Sequence, residues 1–273
     1  MRLAVIIHGE PRFCEEFDHL IERIKDVEQV DWFFYLWSET EYPTDEEIIK
    51  ERTTNAHPHT YGFNVVAPKW RSINRDWAMQ KLRENLPAHH NIVRAEFVDH
   101  RTMSFAPIEE NYAEEVNLTN ICKNWYSLKQ VDLFRQQYEK DNNFTYDMVL
   151  RSRADIAITS DLNLSEITNG LHYDKSVIFI PSNRQCGYHG IHFCDLLAIT
   201  SSKNMTVYSD LIDQAWEHHR NGCIFHGETM MARHILNNGL QYRSAGFTIE
   251  LRWLGQDHAE PGGIYISKYG RWE

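Results

Sequence analysis

The sequence predicts an α/β fold: one domain with a mostly parallel central sheet flanked by helices, in the manner of a Rossmann-like arrangement. Two continuous apolar runs, Leu3–Ile7 and Trp32–Leu36, read as strands buried on both faces. Between them Phe13, Phe17, Leu20, Ile21, Ile24 and Val27 recur at helical spacing. A strand, a helix and a strand in that order imply a parallel pair with a right-handed crossover. The same alternation returns in the second half of the chain.

Taken in order, the first strand ends in His8-Gly9-Glu10-Pro11-Arg12, a turn whose Pro can open a helix. Helices are expected over 46–52 and 75–85, and strands over 63–67 and 92–98. The acidic, turn-rich stretch 99–118 reads as a loop. Asn120–Glu139 carries Ile121, Trp125, Leu128, Val131 and Tyr138 on a helical stripe, closed by Asp141-Asn142-Asn143. Tyr146–Leu150 is a strand running into Arg151-Ser152-Arg153-Ala154-Asp155, and Val177–Ile180 is another, stopped by Pro181. Met205, Tyr208, Leu211, Ile212, Ala215 and Trp216 share one helical stripe. Gly227–Asn237 is a helix with Asn238-Gly239 as its C-terminal stop. Tyr242–Leu251 alternates like an outer strand, and an aromatic tail with Gly262-Gly263 follows Trp253.

Composition narrows the function. The 273 residues fit one large domain, at roughly 100–200 residues per domain. A net charge of −11 gives no electrostatic reason to coat nucleic acid or an anionic bilayer, so no nucleic-acid partner is expected. No apolar run approaches the ~20 residues of a membrane span. Leu3–Ile7 lacks a cleavage-like site after it, so it is not read as a secretory signal. The five cysteines are scattered, with no Cys-x-x-Cys pair, which favours reduced thiols and a cytoplasmic setting. Asn-x-Ser/Thr matches at Asn117, Asn143, Asn163 and Asn204 then read as chance. Walker, nucleophile-elbow and His-Glu-x-x-His motifs do not occur.

Ligands of open α/β sheets sit beyond the carboxyl ends of the parallel strands. Three polar clusters fall there: His8–Arg12, Trp37-Ser38-Glu39 and Arg151–Asp155. In an extended chain Arg151, Arg153 and Asp155 lie on one side. Guanidinium groups beside a carboxylate suit a metal–diphosphate site, the arginines on phosphate oxygens and the acid on the cation. A structural ion pair at the strand end is the alternative.

These pieces, in order, resemble a group of small glycosyltransferases of GT-A type found in bacteria and in large phages and viruses. The resemblance is carried by Gly9-Glu10-Pro11-Arg12, Leu36-Trp37, Trp125-Tyr126-Ser127 with Lys129, Tyr146-Asp147 through Arg151–Asp155, Gly190–Asp195, Asn204–Tyr208 and His226-Gly227-Glu228. It covers most of the chain. It implies a GT-A-like fold with a nucleotide-binding half over 1–155 and an acceptor-side half over 156–273. The implied reaction moves a sugar from a nucleotide-sugar donor to a glycan or other hydroxyl acceptor.

Donor contacts would come from His8, Gly9, Arg12, Trp37, Lys129, Arg151 and Arg153. A divalent metal, Mn²⁺ or Mg²⁺, would sit at Asp155, with His226 as a further ligand. The usual Asp-x-Asp pair is reduced here to Arg153-x-Asp155: either phosphate and water complete the metal's shell, or Arg153 replaces some of the metal charge, or the site is metal-free. Asp195 and Glu228 are the candidate catalytic bases for the acceptor hydroxyl. Asp195 could instead cap a helix, and Glu228 sits where a helix dipole favours a carboxylate anyway. A nucleotidyltransferase, which would want two or more acids together, and a non-catalytic carbohydrate-binding protein are the alternatives. His57/His59, His89/His90 and His218/His219 are not read as zinc pairs; adjacent helical residues such as His218 and His219 point about 100° apart.

Overall fold

The first strand, β1 (Arg2–Gly9), is buried from Leu3 to Gly9, as its unbroken apolar run requires. The computed structural model describes residues 1–9, 17–38, 75–108, 111–113, 117–154 and 156–251. Among the expected elements, the helix over 46–52, the strand over 63–67 and the tail after Trp253 lie outside those residues, as do the site candidates Arg12 and Asp155. After β1 come α1 (Phe17–Ile24), β2 (Gln29–Ser38), α2 (Arg75–Asn85), β3 (His90–Asp99) and the long α3 (Leu118–Asp141). The second half holds β4 (Met148–Ser152), β5 (Ile156–Ile158), α4 (Leu164–Tyr173), β6 (Val177–Ile180) and β7 (Leu197–Thr200). It continues with α5 (Ser202–Ser209), α6 (Leu211–Arg220), α7 (Gly227–Asn237), β8 (Gln241–Ser244) and β9 (Ile249–Leu251).

Seven strands form the central sheet in the order β3-β2-β1-β4-β7-β6-β8. β2 pairs parallel with both β1 and β3, β4 pairs parallel with β1, and β8 with β6. β7 alone runs against its two neighbours, β4 and β6. The fold is therefore α/β with a mostly parallel sheet, as the alternating apolar runs predict. Period-2 alternation splits the core into two layers. Leu3, Val5, Ile7, Trp32, Phe34 and Leu36 face a layer containing α1 and α4. Ala4, Ile6, Phe33, Tyr35 and Val149 face the other, built from α3, α5, α6 and α7.

Caps explain several boundaries. Asn117 and Asn163, two of the Asn-x-Ser/Thr matches, accept hydrogen bonds from Asn120 N and Glu166 N as N-caps of α3 and α4. Asn204, a third, is buried. The stripe from Met205 to Trp216 is not one helix but two, α5 and α6, parted at Asp210, which ends one and begins the next. The expected outer strand over 242–251 is likewise divided. Gly246 has φ +77°, and the chain turns there from β8 into β9, which pairs antiparallel with β5 in a separate two-stranded ribbon. Among the described residues no helix is long and apolar enough to cross a membrane, and Cys122, Cys186, Cys194 and Cys223 form no disulfide.

Candidate functional site

β1 leads away to β2 and β3 on one side of the sheet, whereas its other neighbour β4 is followed by β7 and β6 on the opposite side. The β1/β4 boundary is thus the topological switch point, where the strand ends leave a crevice for a ligand. Ile6 is the register partner of Arg151, so two-residue alternation puts His8 and Arg151 on the same face, the face of α3, α5 and α7. Ala198 of β7 is the partner of Arg151 on the other side, and its small side chain leaves room for the guanidinium.

Arg151 differs here from the expectation that it lies just past the strand: it is inside β4 and only 1% exposed. Its Nε donates to His8 Nε2 at 2.8 Å across the switch point. His8, also 1% exposed, is therefore a neutral imidazole with its proton on Nδ1. Burial, followed by the charges of Arg151 and Arg153, holds its pKa well below the ordinary histidine value. Two donors in this pair are buried with no hydrogen-bond partner among the described residues: Arg151 Nη1 and His8 Nδ1. The Tyr208 hydroxyl of α5 is in the same condition and feels the charges of Arg151, Asp195 and Glu228.

A second buried arginine shows what a saturated guanidinium looks like. Arg135 of α3 donates to Asp132 Oδ1 at 2.6 Å and to Glu139 Oε2 at 2.6 Å, and its Nη1 also reaches Ser202 Oγ at 2.5 Å. Two carboxylates neutralise it. Arg151 hydrogen-bonds to one neutral imidazole.

The far wall comes from the loop 186–195 and the start of α7. Cys186 and Phe193 exchange backbone hydrogen bonds of 2.9 and 3.2 Å, which close the loop as a hairpin. A Cβ on Gly187 would stand 2.5 Å from Ile191 O, so the turn needs glycine. Tyr188 N donates to Thr229 Oγ1 at 2.9 Å and so fastens the loop to α7. Asp195 precedes the strand β7, so it caps no helix that follows it. Its Oδ2 lies 3.4 Å from where a Cβ of Gly227 would be, against the positive end of α7. Among the described residues no hydrogen bond or ion pair engages this carboxylate.

Glu228 is differently placed. Its Oε1 accepts from Cys186 Sγ at 2.8 Å, and its Oε2 is 3.4 Å from His226 Nε2. His226 is the N-cap of α7 and packs edge-on against the Tyr188 ring. Burial and the nearby acids push the Cys186 thiol up, and burial pushes Cys194 up to about 12, so both are protonated thiols near neutrality.

The structure gathers His8, Arg151, Arg153, Asp195, Glu228 and His226 around the carboxyl edge of β4. Gly9 closes β1 with φ +90°, and a Cβ there would meet Asn124 Oδ1 at 3.7 Å. Trp37 closes β2, where its Nε1 donates to Ser127 Oγ at 2.7 Å and its ring stacks on His100. Lys129 is not brought to the crevice contacts. Its ammonium pairs with Asp213 and, at 3.3 Å, with Asp210, which ties α3 to α6. Its charge is thus matched within the helical layer. Spacing alone also left Cys186, Tyr208 and the His8–Arg151 bond unnoticed; the cysteine's position at the mouth of a Gly-x-x-Gly turn was the available signal.

No family model matches the chain, and no curated protein matches it. Among solved structures it is similar to the glycosyltransferase GlyE of Streptococcus pneumoniae TIGR4, with 14% identity and a TM-score of 0.37 over 89% of this chain. The match spans 44% of that chain's length.

Proposed function

We propose that the protein is a glycosyltransferase that moves a sugar from a nucleotide-sugar donor to an acceptor hydroxyl. The observation that carries this reading is Arg151, a buried guanidinium at the switch point whose Nη1 has no partner, and which has no carboxylate hydrogen bond, among the described residues, in contrast to Arg135. A buried cation left so is costly unless an anion completes it. The diphosphate of a nucleotide donor supplies that anion and is also the group that departs. In the displacement, the acceptor oxygen bonds to the anomeric carbon as the bond to the diphosphate oxygen breaks. Arg151 and Arg153 take up the charge that develops on the leaving group.

The acceptor proton goes to Asp195, the one of the two candidate acids whose carboxylate is not already accepting from a described neighbour. Glu228, engaged by Cys186 and facing His226, is a positioning group in this reading. Gly9 lets the nucleotide approach the end of β1 closely. The half 1–155 serves the donor and the half 156–273 the acceptor. A divalent ion at Asp155 would add positive charge beside the diphosphate. As a partner for that ion, His226 fits Mg²⁺ or Mn²⁺ poorly, since it stands beside a thiol; these ions favour oxygen ligands.

The test is a ligand screen by melting temperature, since a ligand at free concentration L that binds the folded protein stabilises it by RT ln(1 + L/Kd). Nucleoside diphosphates and nucleotide sugars should stabilise the protein, and Asp155→Ala should abolish transfer with the fold intact. Stabilisation by nucleoside triphosphates alone would favour the nucleotidyltransferase alternative. Binding of free sugars with no nucleotide effect would replace the enzyme with a carbohydrate-binding protein.

A further inference from the structure

We propose that Cys186, His226 and Glu228 form a site for a thiophilic divalent cation of the zinc class. The proposal stands on these three side chains and does not depend on the transferase reading. Their ligand atoms all lie within 4.8 Å of one another. Zinc bonds of about 2.0–2.3 Å place tetrahedral ligand atoms roughly 3.3–3.7 Å apart. Cys186 Sγ to Glu228 Oε1 is 2.8 Å and His226 Nε2 to Glu228 Oε2 is 3.4 Å, so both partners already stand near the carboxylate that would share the ion. One sulfur, one imidazole nitrogen and one carboxylate oxygen select zinc over magnesium or calcium.

The two segments that carry the ligands are already locked together. The hairpin pair Cys186–Phe193 fixes the cysteine backbone, and Tyr188 N to Thr229 Oγ1 ties that hairpin to the first turn of α7. His226 and Glu228 are two residues apart, a spacing that fails inside a regular helix. It works here because His226 is the N-cap, with φ −145° and ψ +138°, so its ring swings back over the helix start. Thr229 Oγ1 lies 3.1 Å from His226 Nδ1. Thr229 N donates to the same nitrogen at 3.5 Å as the cap bond; a metal on Nε2 moves the ring proton to Nδ1, which gives up that bond and donates to the Thr229 hydroxyl, the orienting contact that ligating histidines usually have. His218 and His219 behave otherwise: His218 turns to His234 at 3.1 Å, and His219 to Cys223 O at 3.1 Å.

Charge balances as well. The Cys186 proton, shared with Glu228 in the metal-free protein, leaves to solvent as the metal–sulfur bond forms. The resulting thiolate and the Glu228 carboxylate together neutralise a dication. Three protein ligands leave the fourth tetrahedral position to water.

Titration of the full-length protein with Co²⁺, with no nucleotide present, tests the site. Expected are one equivalent bound, a thiolate-to-cobalt charge-transfer band, one sulfur neighbour by X-ray absorption, and displacement by Zn²⁺. The band should vanish in Cys186→Ala and persist in Cys194→Ala, and Thr229→Val should weaken the metal by roughly 10–100-fold. Absence of the band at saturating Co²⁺ in the unaltered protein overturns the proposal, whatever the variants do. So does a band that survives Cys186→Ala or disappears with Cys194→Ala. Nucleoside diphosphate binding, measured separately on metal-free protein, reports on the transferase reading alone.

Discussion

Arg151→Met separates an arginine kept for a ligand from one kept for the fold. The substitution retains much of the side-chain volume between Ile6 and Ala198 and removes the charge. In the free protein it loses one hydrogen bond, to His8, and leaves His8 Nε2 without a donor; that costs about 1–3 kcal/mol. It also relieves the desolvation of a guanidinium that no carboxylate hydrogen-bonds, and replacing buried ionic groups by apolar ones of similar volume gains about 1–4 kcal/mol. The two nearly cancel, so the melting temperature should stay within roughly 4 °C, at about 2–4 °C per kcal/mol for a domain of this class. Affinity for a nucleoside diphosphate should fall by the worth of a charged hydrogen bond, about 1.5–3 kcal/mol, or roughly 10–150-fold by calorimetry. The histidine also reports. Without the guanidinium beside it, the His8 pKa should rise toward its ordinary value, which NMR titration of the ring follows. A loss of 3 kcal/mol or more in stability with diphosphate affinity unchanged would refute the reasoning and make Arg151 a structural residue.

The other arginine gives the opposite result. Arg135→Met strands Asp132 and Glu139 in the core and should cost about 3–5 kcal/mol in denaturant unfolding, with no separate effect on ligand affinity once folded. Acid should weaken the fold before most carboxylates titrate. His8, His218 and His234 are held below their ordinary pKa chiefly by burial, and His90 falls to about 4. The unfolded chain takes up those protons near pH 6.5 and the native one does not, so stability is complete above that value. It declines as pH falls from about 6.5 toward 4, with His90 alone worth ~3 kcal/mol over that window; unfolding free energies flat across it would contradict the buried neutral histidines. Gly187→Ala drives a Cβ to 2.5 Å from Ile191 O and should lower stability by about 1–3 kcal/mol and transfer activity with it, whereas Gly190→Ala meets no atom within 4 Å and its cost is confined to its φ of +77°.

What the sequence disclosed followed from how each element is held. α2 and α7 and the strand β6 have the bounds that periodicity and stop signals predict, because their apolar faces, caps and a Pro are all local. β5, α4 and β7 went unread for the opposite reason. Three or four apolar residues in a row, as in Ile156–Ile158 and Leu197–Thr200, become strands only because a partner lies alongside. The stripe from Met205 to Trp216 kept its period through Asp210, so nothing local marked the break between α5 and α6. The site divides in the same way. Arg151 and Arg153 were visible as charges at a strand end, and Asp195 and Glu228 as acids near glycines. Whether a charge is already matched depends on residues distant in sequence: Lys129 finds Asp210 and Asp213 at the start of α6, and among the described residues Arg151 finds only His8.

The single reversed strand explains how the two halves of the site meet. In a purely parallel sheet, the chain entering a strand arrives at its amino edge, away from the ligand crevice. β7 runs antiparallel to β4, so the residues that lead into it, Cys194 and Asp195, arrive at the carboxyl edge instead. Ala198 beside Arg151 fixes how far they reach, since only Leu196 and Leu197 separate it from Asp195. The hairpin that begins at Cys186 comes with them, and Thr229 binds that hairpin to the first turn of α7. Reversal of one strand thus sets an acid opposite an arginine across a crevice that β1 and β4 alone would leave lined by cations. On the proposed reading, moving Asp195 to the parallel-strand side, by any rearrangement that kept every helix, would leave Arg151 with a diphosphate to hold and no base to receive the acceptor's proton.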